Sequence, residues 1–447
     1  MRGPASAQRA GAQRTMHIAI DISVLRIAQA GVLVYTSRLI EALAAERGGH
    51  ELTLLDVLPL NPGLPMRPLA AFDAPGVRVV RCAGLRRAYV SAHPLLRHGL
   101  PHALAERIDR ALDAPWAAAS VALMGLALRG GLSGAQVFHA SDQFLHAPPG
   151  AAAVLTIHDL TTRLHPEWHA EANTAMHAAK ERFARERAQL VIVDSRATQR
   201  DVVEHLGVPP ERTAVVPLAA DERFRPHAPG EAAPTLERYG LRPGGYILST
   251  GTLEPRKNYE RLIEAFAQVI GRGPQLEGIG DAPQPAAHGL LLAIAGGRGW
   301  KDDAILDAPA RHGVEGRVRF LGRVPDDDLP ALVAGAALFV YPSLYEGFGL
   351  PPLEALACGV PVVASCTSSL PEVVGDAGLL CDPHDPADIA RQMAAVLDNP
   401  ALAAQLREAG PRRAAQFSWR RTARETLAAY ERAAAERAAQ AAGRSRF

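Results

Sequence analysis

The chain has 447 residues, 48% of them apolar, with 48 Lys plus Arg against 47 Asp plus Glu and a net charge of +1. The length is about three usual domains' worth, which fits two sizeable domains and excludes one small module. The charge balance argues against a general nucleic-acid binder and against a polyanion-coating protein. Lysine is scarce: Lys180, Lys257 and Lys301 are the only three, so 48 − 3 = 45 basic residues are Arg. Cys82, Cys358, Cys366 and Cys381 form no CxxC pair. They read as neither a disulfide framework nor a zinc site, and a reducing cytoplasm is the expected location.

Residues 1–15 contain Arg and Ser but no acid. They read as a disordered tail, or as the product of a start placed ahead of a true start at Met16, rather than as a transit peptide. Short apolar runs then recur, each followed by an Arg/Ala/Glu-rich helical stretch. They are His17–Asp21, Glu51–Asp56, Val77–Val80, Gln136–His139, Ala153–His158, Leu190–Asp194 and Thr213–Pro217. Ala114–Leu128 is uncharged but short for a membrane crossing. Arg86, Arg87, Arg97, Arg107, Arg110 and Arg129 lie among Leu, Ala, Tyr89 and Trp116. That stretch reads equally as an amphipathic patch for an anionic membrane or as an insertion packed on the domain surface.

Pro226, Pro229, Gly230 and Pro234 mark a linker. The pattern then restarts with Tyr246–Thr250, Leu290–Ala295, Arg317–Leu321, Ala337–Tyr341, Pro361–Ala364 and Gly378–Cys381. Gly271–Gly289 reads as a surface loop, and Trp419–Ala442 as a long helix with no strand after it. Continuous apolar strands alternating with helices predict parallel sheets covered on both faces. The fold class is α/β, with two Rossmann-like, doubly wound domains facing a cleft. The expected division is a tail at 1–15, an acceptor domain at 16–220, a linker at 221–240, a donor domain at 241–416, and a crossing helix and tail at 417–447.

The most informative stretch runs from Tyr341 through Glu346-Gly347-Phe348-Gly349-Leu350-Pro351-Pro352 to Glu354 and Gly359. A strand feeds a glycine loop, and the prolines suit a first helical turn. The loop therefore places amides at a helix N-terminus beyond a strand end, a ready anion site that a pyrophosphate fits. Glu346 and Glu354, eight positions apart, can hold different parts of one ligand, and carboxylates accept well from vicinal hydroxyls. The bland reading of Glu354 is a complement to the helix dipole. In a second stretch, Gly251 to Asn258, Arg256 and Lys257 lie on a loop at another strand's carboxyl end, with Asn258 as a candidate helix cap. A guanidinium fork plus a point charge suits a diphosphate.

Glu346-x7-Glu354 enclosing Glu-Gly-Phe-Gly-Leu-Pro resembles the hallmark of retaining GT-B glycosyltransferases of family 4, which include bacterial mannosyltransferases. Gly251–Asn258, Gly296–Gly297, Phe320–Pro325, Thr156–Asp159, Val193–Ser195 and Val215–Pro217 fit the same pattern. The resemblance spans roughly residues 16 to 420 and is stronger in the second half. It implies a nucleotide-sugar donor held by the second domain. Glu346 and the amides of Gly347, Phe348, Gly349 and Leu350 would hold the donor sugar and diphosphate. Glu354 would hold the ribose, Arg256 and Lys257 beside Gly251 would neutralise the diphosphate, and Arg323–Val324 would line the base pocket. His158 and Asp159 would face the transferred sugar and acceptor. Where the family has a Gly-x-Gly loop near the N-terminus, only Gly31 fits here, and Leu33 replaces the second glycine.

The implied reaction moves a mannose-like hexosyl group, with GDP-mannose as the expected donor, to a hydroxyl of a growing polysaccharide. The acceptor can be lipid-linked, with peripheral contact at the cytoplasmic face of the inner membrane. No cofactor or metal is expected, because Arg256 and Lys257 supply the positive charge. Asp326-Asp327-Asp328 reads as a helix cap rather than a metal site. His139 is a weaker histidine candidate than His158, and Ser195 begins a helix without a hydrolase elbow. The competing readings are a nucleotide-sugar epimerase, a phosphorylase, which the lysine scarcity disfavours, and a catalytically silent sugar-nucleotide-binding subunit.

Overall fold

In a computed structural model, residues 15–26, 31–58, 68–83, 132–141, 145, 147–169, 171–271 and 289–444 are described. The apolar runs become thirteen strands, β1 His17–Asp21, β2 Glu51–Leu58, β3 Val77–Ala83, β4 Val137–Ala140, β5 Ala152–Ile157, β6 Leu190–Val193, β7 Thr213–Val215, β8 Tyr246–Thr250, β9 Leu291–Ala295, β10 Val318–Gly322, β11 Leu338–Tyr341, β12 Val362–Ser365 and β13 Leu379–Cys381. They form a seven-stranded sheet ordered β3-β2-β1-β4-β5-β6-β7 and a six-stranded sheet ordered β10-β9-β8-β11-β12-β13. The registered pairs are parallel, β1 with β2 and β4, and β8 with β9 and β11, for example. Central strands such as β5, β6, β8 and β11 are buried throughout, which is why their sequences are continuously apolar rather than alternating.

Among the described residues the helices are α1 Gly31–Glu46, α2 Thr161–Leu164, α3 Glu171–Glu186, α4 Arg196–Leu206, α5 Ala233–Arg238, α6 Tyr259–Gly271, α7 Asp303–Arg311, α8 Leu329–Ala334, α9 Leu350–Ala357, α10 Leu370–Val374, α11 Pro386–Leu397, α12 Pro400–Ala414 and α13 Trp419–Arg444. Leu262, Ile263, Phe266 and Val269 make one face of α6 and pack into a core with Leu292, Ile294, Leu338 and Val340. Ile389 and Met393 of α11 join the same core. Each large side chain buried there contributes roughly 1.5–3 kcal/mol.

Contacts divide the chain into two compact units, Met1–Leu155 with Leu427–Phe447, and Thr156–Thr426. In the first, the Tyr430 hydroxyl meets His139 Nδ1 at 2.6 Å, and both residues are buried. His139 is thus a satisfied core histidine. In the second, Thr422 near the start of α13 donates to the Pro217 carbonyl at 2.7 Å. Ser195 caps α4, accepting from the Thr198 amide at 3.1 Å, as expected.

Two expected caps take other partners. Asp328 precedes α8 but makes no side-chain cap bond, because Arg238 and the Tyr239 hydroxyl occupy its carboxylate. Asn258, at φ 61°, donates instead to the carbonyls of Pro342 at 3.0 Å and Pro383 at 2.7 Å. Asn tolerates that left-handed backbone better than most residues. Cys358, Cys366 and Cys381 are free. Among the described residues no helix is long and apolar enough to cross a membrane. The tail at 1–14, the arginine-rich stretch 86–129, most of the 271–289 loop and the Cys82 side chain lie outside the described residues.

Candidate active site

Two loops at the carboxyl ends of neighbouring strands build the site, both within the second unit. After β8, Gly251 leads to a single turn at Pro255–Lys257. After β11, Pro342–Gly349 leads into α9. The Leu344 amide donates to the Arg256 carbonyl at 2.9 Å, so the two loops are tied through their backbones.

Glu346 is the hub. Its Oε1 accepts from Lys257 Nζ at 2.6 Å, the Ser343 hydroxyl at 2.7 Å and the Tyr341 hydroxyl at 2.9 Å. Its Oε2 accepts from Arg256 Nη1 at 2.7 Å. Lys257 also donates to the Tyr341 hydroxyl at 2.6 Å, and Arg256 Nη2 to Glu254 at 2.7 Å. Two carboxylates and two cations therefore balance in a buried cluster, with Glu346 9% and Lys257 8% exposed. Burial alone would raise the Glu346 carboxyl, but the charges of Arg256 and Lys257 and its hydrogen bonds outweigh it and hold it down at about 2. Burial and Arg256 pull Lys257 below the ordinary lysine value, against the attraction of Glu346 and Glu254.

The turn carrying Glu346 is fixed by hydroxyls. The Glu346 amide donates to Ser368 Oγ at 2.9 Å, and Ser369 Oγ lies 2.8 Å from the Glu346 carbonyl and 2.7 Å from that of Phe348. Beyond it, the amides of Gly347, Phe348, Gly349 and Leu350 donate to no described residue. Gly349, at φ 113°, occupies the position before α9 that L side chains rarely adopt, and Pro351 and Pro352 open the helix as the sequence predicts. Four unbonded amides thus sit at a helix N-terminus beside an Arg/Lys pair, the arrangement an anion needs.

Gly347 also permits a close approach. A Cβ there would lie 1.8 Å from the His158 carbonyl oxygen. The Thr198 hydroxyl bridges the same point, 3.2 Å from the His158 carbonyl and 3.1 Å from that of Gly347. His158 and Asp159, just past β5, are thereby brought to the Glu346 turn. Gly347→Ala should destabilise the protein by about 1–3 kcal/mol or more, since backbone must move. Denaturant unfolding would read this, and an unchanged midpoint would contradict the contact.

The other expected residues fall in different surroundings. Glu354, one turn into α9, is pushed up to about 8 by burial and by Asp221 and Asp326, against the pull of Arg223. Arg223 in turn binds Asp221 and donates to Asp327 at 3.0 Å. A carboxyl raised in the fold from 4.5 to about 8 stabilises the neutral form, so its contribution is present at low pH and is lost as pH rises through about 8. Glu354→Gln should therefore raise the melting temperature at about pH 9 and leave it nearly unchanged near pH 5. An equal shift at both would contradict this. Arg323, exposed, and Val324, half-buried, follow β10. Gly31 opens α1 in the first unit, where an added Cβ would meet nothing within 4 Å.

Sequence reasoning placed Arg256, Lys257 and Glu346 on one ligand. It missed that they pair with each other, and it missed the supporting Glu254, Ser343, Ser368 and Ser369. Tyr341 and Ser343 were signalled only by their place in the stretch leading to Glu346.

The chain matches the family models "Glycosyl transferases group 1" over residues 242–413 and "Glycosyl transferase 4-like domain" over 30–219. It is 38% identical over 279 residues to an O-antigen chain mannosyltransferase B of Escherichia coli, covering 62% of this chain and 70% of that protein. It is 33% identical over 253 residues to a serotype-specific mannosyltransferase WbdA of Escherichia coli, covering 55% of this chain and 29% of that protein. Among solved structures, sucrose-phosphate synthase from Thermosynechococcus elongatus superposes with a TM-score of 0.65 at 22% identity, covering 93% of this chain and 98% of that one. WaaG, a glycosyltransferase involved in lipopolysaccharide biosynthesis, superposes with a TM-score of 0.63 at 17% identity, covering 92% and 98%. The family models, the 38% identical relative and the two parallel sheets agree: the chain belongs to the family-4-like GT-B glycosyltransferases.

Proposed function

We propose that this glycosyltransferase moves a mannosyl group, with retention at the anomeric carbon, from GDP-mannose to a hydroxyl of a growing surface polysaccharide. The carrying observation is the Glu346–Arg256–Lys257 cluster beside the unbonded amides of Gly347 to Leu350. Mannosyltransferases among the relatives support the sugar, and the guanine base follows from that choice. An Anabaena protein of the same fold was solved in complex with UDP and glucose, which makes uridine donors the comparison to run. A lipid-linked acceptor, and with it peripheral contact at the cytoplasmic face of a membrane, belongs to the same reading. The transferase relatives leave the epimerase alternative without support.

In this reading the transition state is oxocarbenium-like, and charge builds on the departing diphosphate. Arg256, Lys257 and the loop amides meet that charge where it develops, in a site largely shut off from water. Glu346 accepts from hydroxyls of the donor sugar, Glu354 from the ribose, and Arg323 and Val324 flank the base. His158 faces the sugar and the incoming hydroxyl, and Asp159 shapes that side. The departing phosphate assists attack on the same face, so no protein nucleophile is called for. Arg256 and Lys257 supply the positive charge at the phosphates, with no role for a cofactor or metal.

The test is product analysis with GDP-mannose and UDP-sugars, each with and without a mannan acceptor. The reading expects an acceptor-dependent mannoside whose anomeric configuration, read from the one-bond C1–H1 coupling, matches the donor. An inverted product, or turnover of donor alone to an epimer, would overturn it. Donor binding without turnover on any acceptor would favour the silent subunit.

A further inference from the structure

His158 and Asp194 are the first residues past β5 and β6, which are neighbours in the sheet order. Parallel neighbours end on the same edge, so the two side chains meet there. His158 Nδ1 lies 2.6 Å from Asp194 Oδ2. Asp194 is 2% exposed, and its Oδ1 has no hydrogen-bond partner among the described residues. The imidazole is thus the one hydrogen bond that this buried side chain makes there. Its backbone is held firmly, because Ser195 caps α4 and the Arg196 and Ala197 amides donate to Glu372 at 2.9 and 2.7 Å. On the other side, the His158 carbonyl is pinned against Gly347 by the close approach and by Thr198.

We propose that Asp194 is a positioning residue that holds His158 as the Nδ1–H tautomer, so that Nε2 offers a lone pair to a hydroxyl beside the Glu346 turn. A carboxylate only accepts, so a 2.6 Å contact with Nδ1 places the proton on that nitrogen. Burial, with Asp159, pushes the Asp194 carboxyl above its ordinary value, against the pull of the imidazole and of Lys180. Imidazole is the stronger base by about 2–3 pK units in water, a margin that favours the proton on His158 against the effect of that burial. An imidazole fixed this way suits a hydroxyl of the sugar or acceptor rather than a phosphate oxygen, which has no proton to give. The inference rests on the reading of His158 as part of the site.

The experiment is a double-mutant cycle on full-length protein with His158→Ala, Asp194→Asn and the pair, reading kcat and donor KM. A second arm is a spectrum of the wild-type protein with ¹⁵N-labelled histidine, which reports the tautomer without needing a variant to fold. Asp194→Asn should lower kcat by on the order of tenfold or more, leave donor KM unchanged, and have no further effect when His158 is already Ala. The wild-type spectrum should show Nδ1 protonated. An equal kcat loss from Asp194→Asn in both backgrounds, or an Nε2–H tautomer in the wild type, would overturn the proposal. Wild-type kcat in His158→Ala would overturn the site reading of His158 instead, and the spectrum would still judge Asp194.

Discussion

Replacing Lys257 with alanine is expected to lower kcat by on the order of 10²-fold or more, the usual loss when a preorganised charge-stabilising donor is removed. Lys257 is 8% exposed and donates at 2.6 Å to both Glu346 and Tyr341, so its ammonium is fixed before any donor arrives. Its effect should appear in kcat more than in KM, because charge on the leaving phosphate grows toward the transition state. The variant should still fold. Glu346 keeps Arg256, Ser343 and Tyr341 as partners and is not left unpaired, although removing one member of a buried ion pair costs about 3–5 kcal/mol. Steady-state kinetics alongside a melting curve separates the two effects, and wild-type turnover would remove Lys257 from the mechanism.

Glu346→Gln should divide ligands that the wild type treats together. In the free protein one carboxylate engages both cations, and a diphosphate must compete with it for them. A neutral amide competes less. Affinity for GDP alone should therefore rise by about tenfold, near the lower end of what one bond to a charged group contributes. Transfer should nevertheless fall by on the order of 10²-fold, since the hydroxyl acceptor is weakened. Titration calorimetry with GDP and kinetics with GDP-mannose read the two. Weakened GDP binding would contradict the competition.

Much of this was legible in the residues. Every apolar run became a strand, most plainly the central ones, where burial on both faces leaves no alternation to blur. The Glu346–Leu350 turn was legible because strand, glycines and prolines each admit few backbones. What stayed hidden depends on long-range pairing. Nothing local in Glu346 announces that it neutralises Arg256 and Lys257, 90 and 89 positions away. Asp194 reads as the end of a strand until the sheet sets it beside His158. Asp328 and Asn258 stand where caps belong, yet Arg238 and Tyr239 claim the first, and the Pro342 and Pro383 carbonyls the second.

The most direct measurement is a crystal structure with GDP bound. The β-phosphate oxygens should lie within hydrogen-bond distance of Lys257 Nζ and of amide nitrogens between Gly347 and Leu350, with Glu346 drawn off at least one of its two cations. Phosphate bound elsewhere, with the Glu346 pairs undisturbed, would contradict the account.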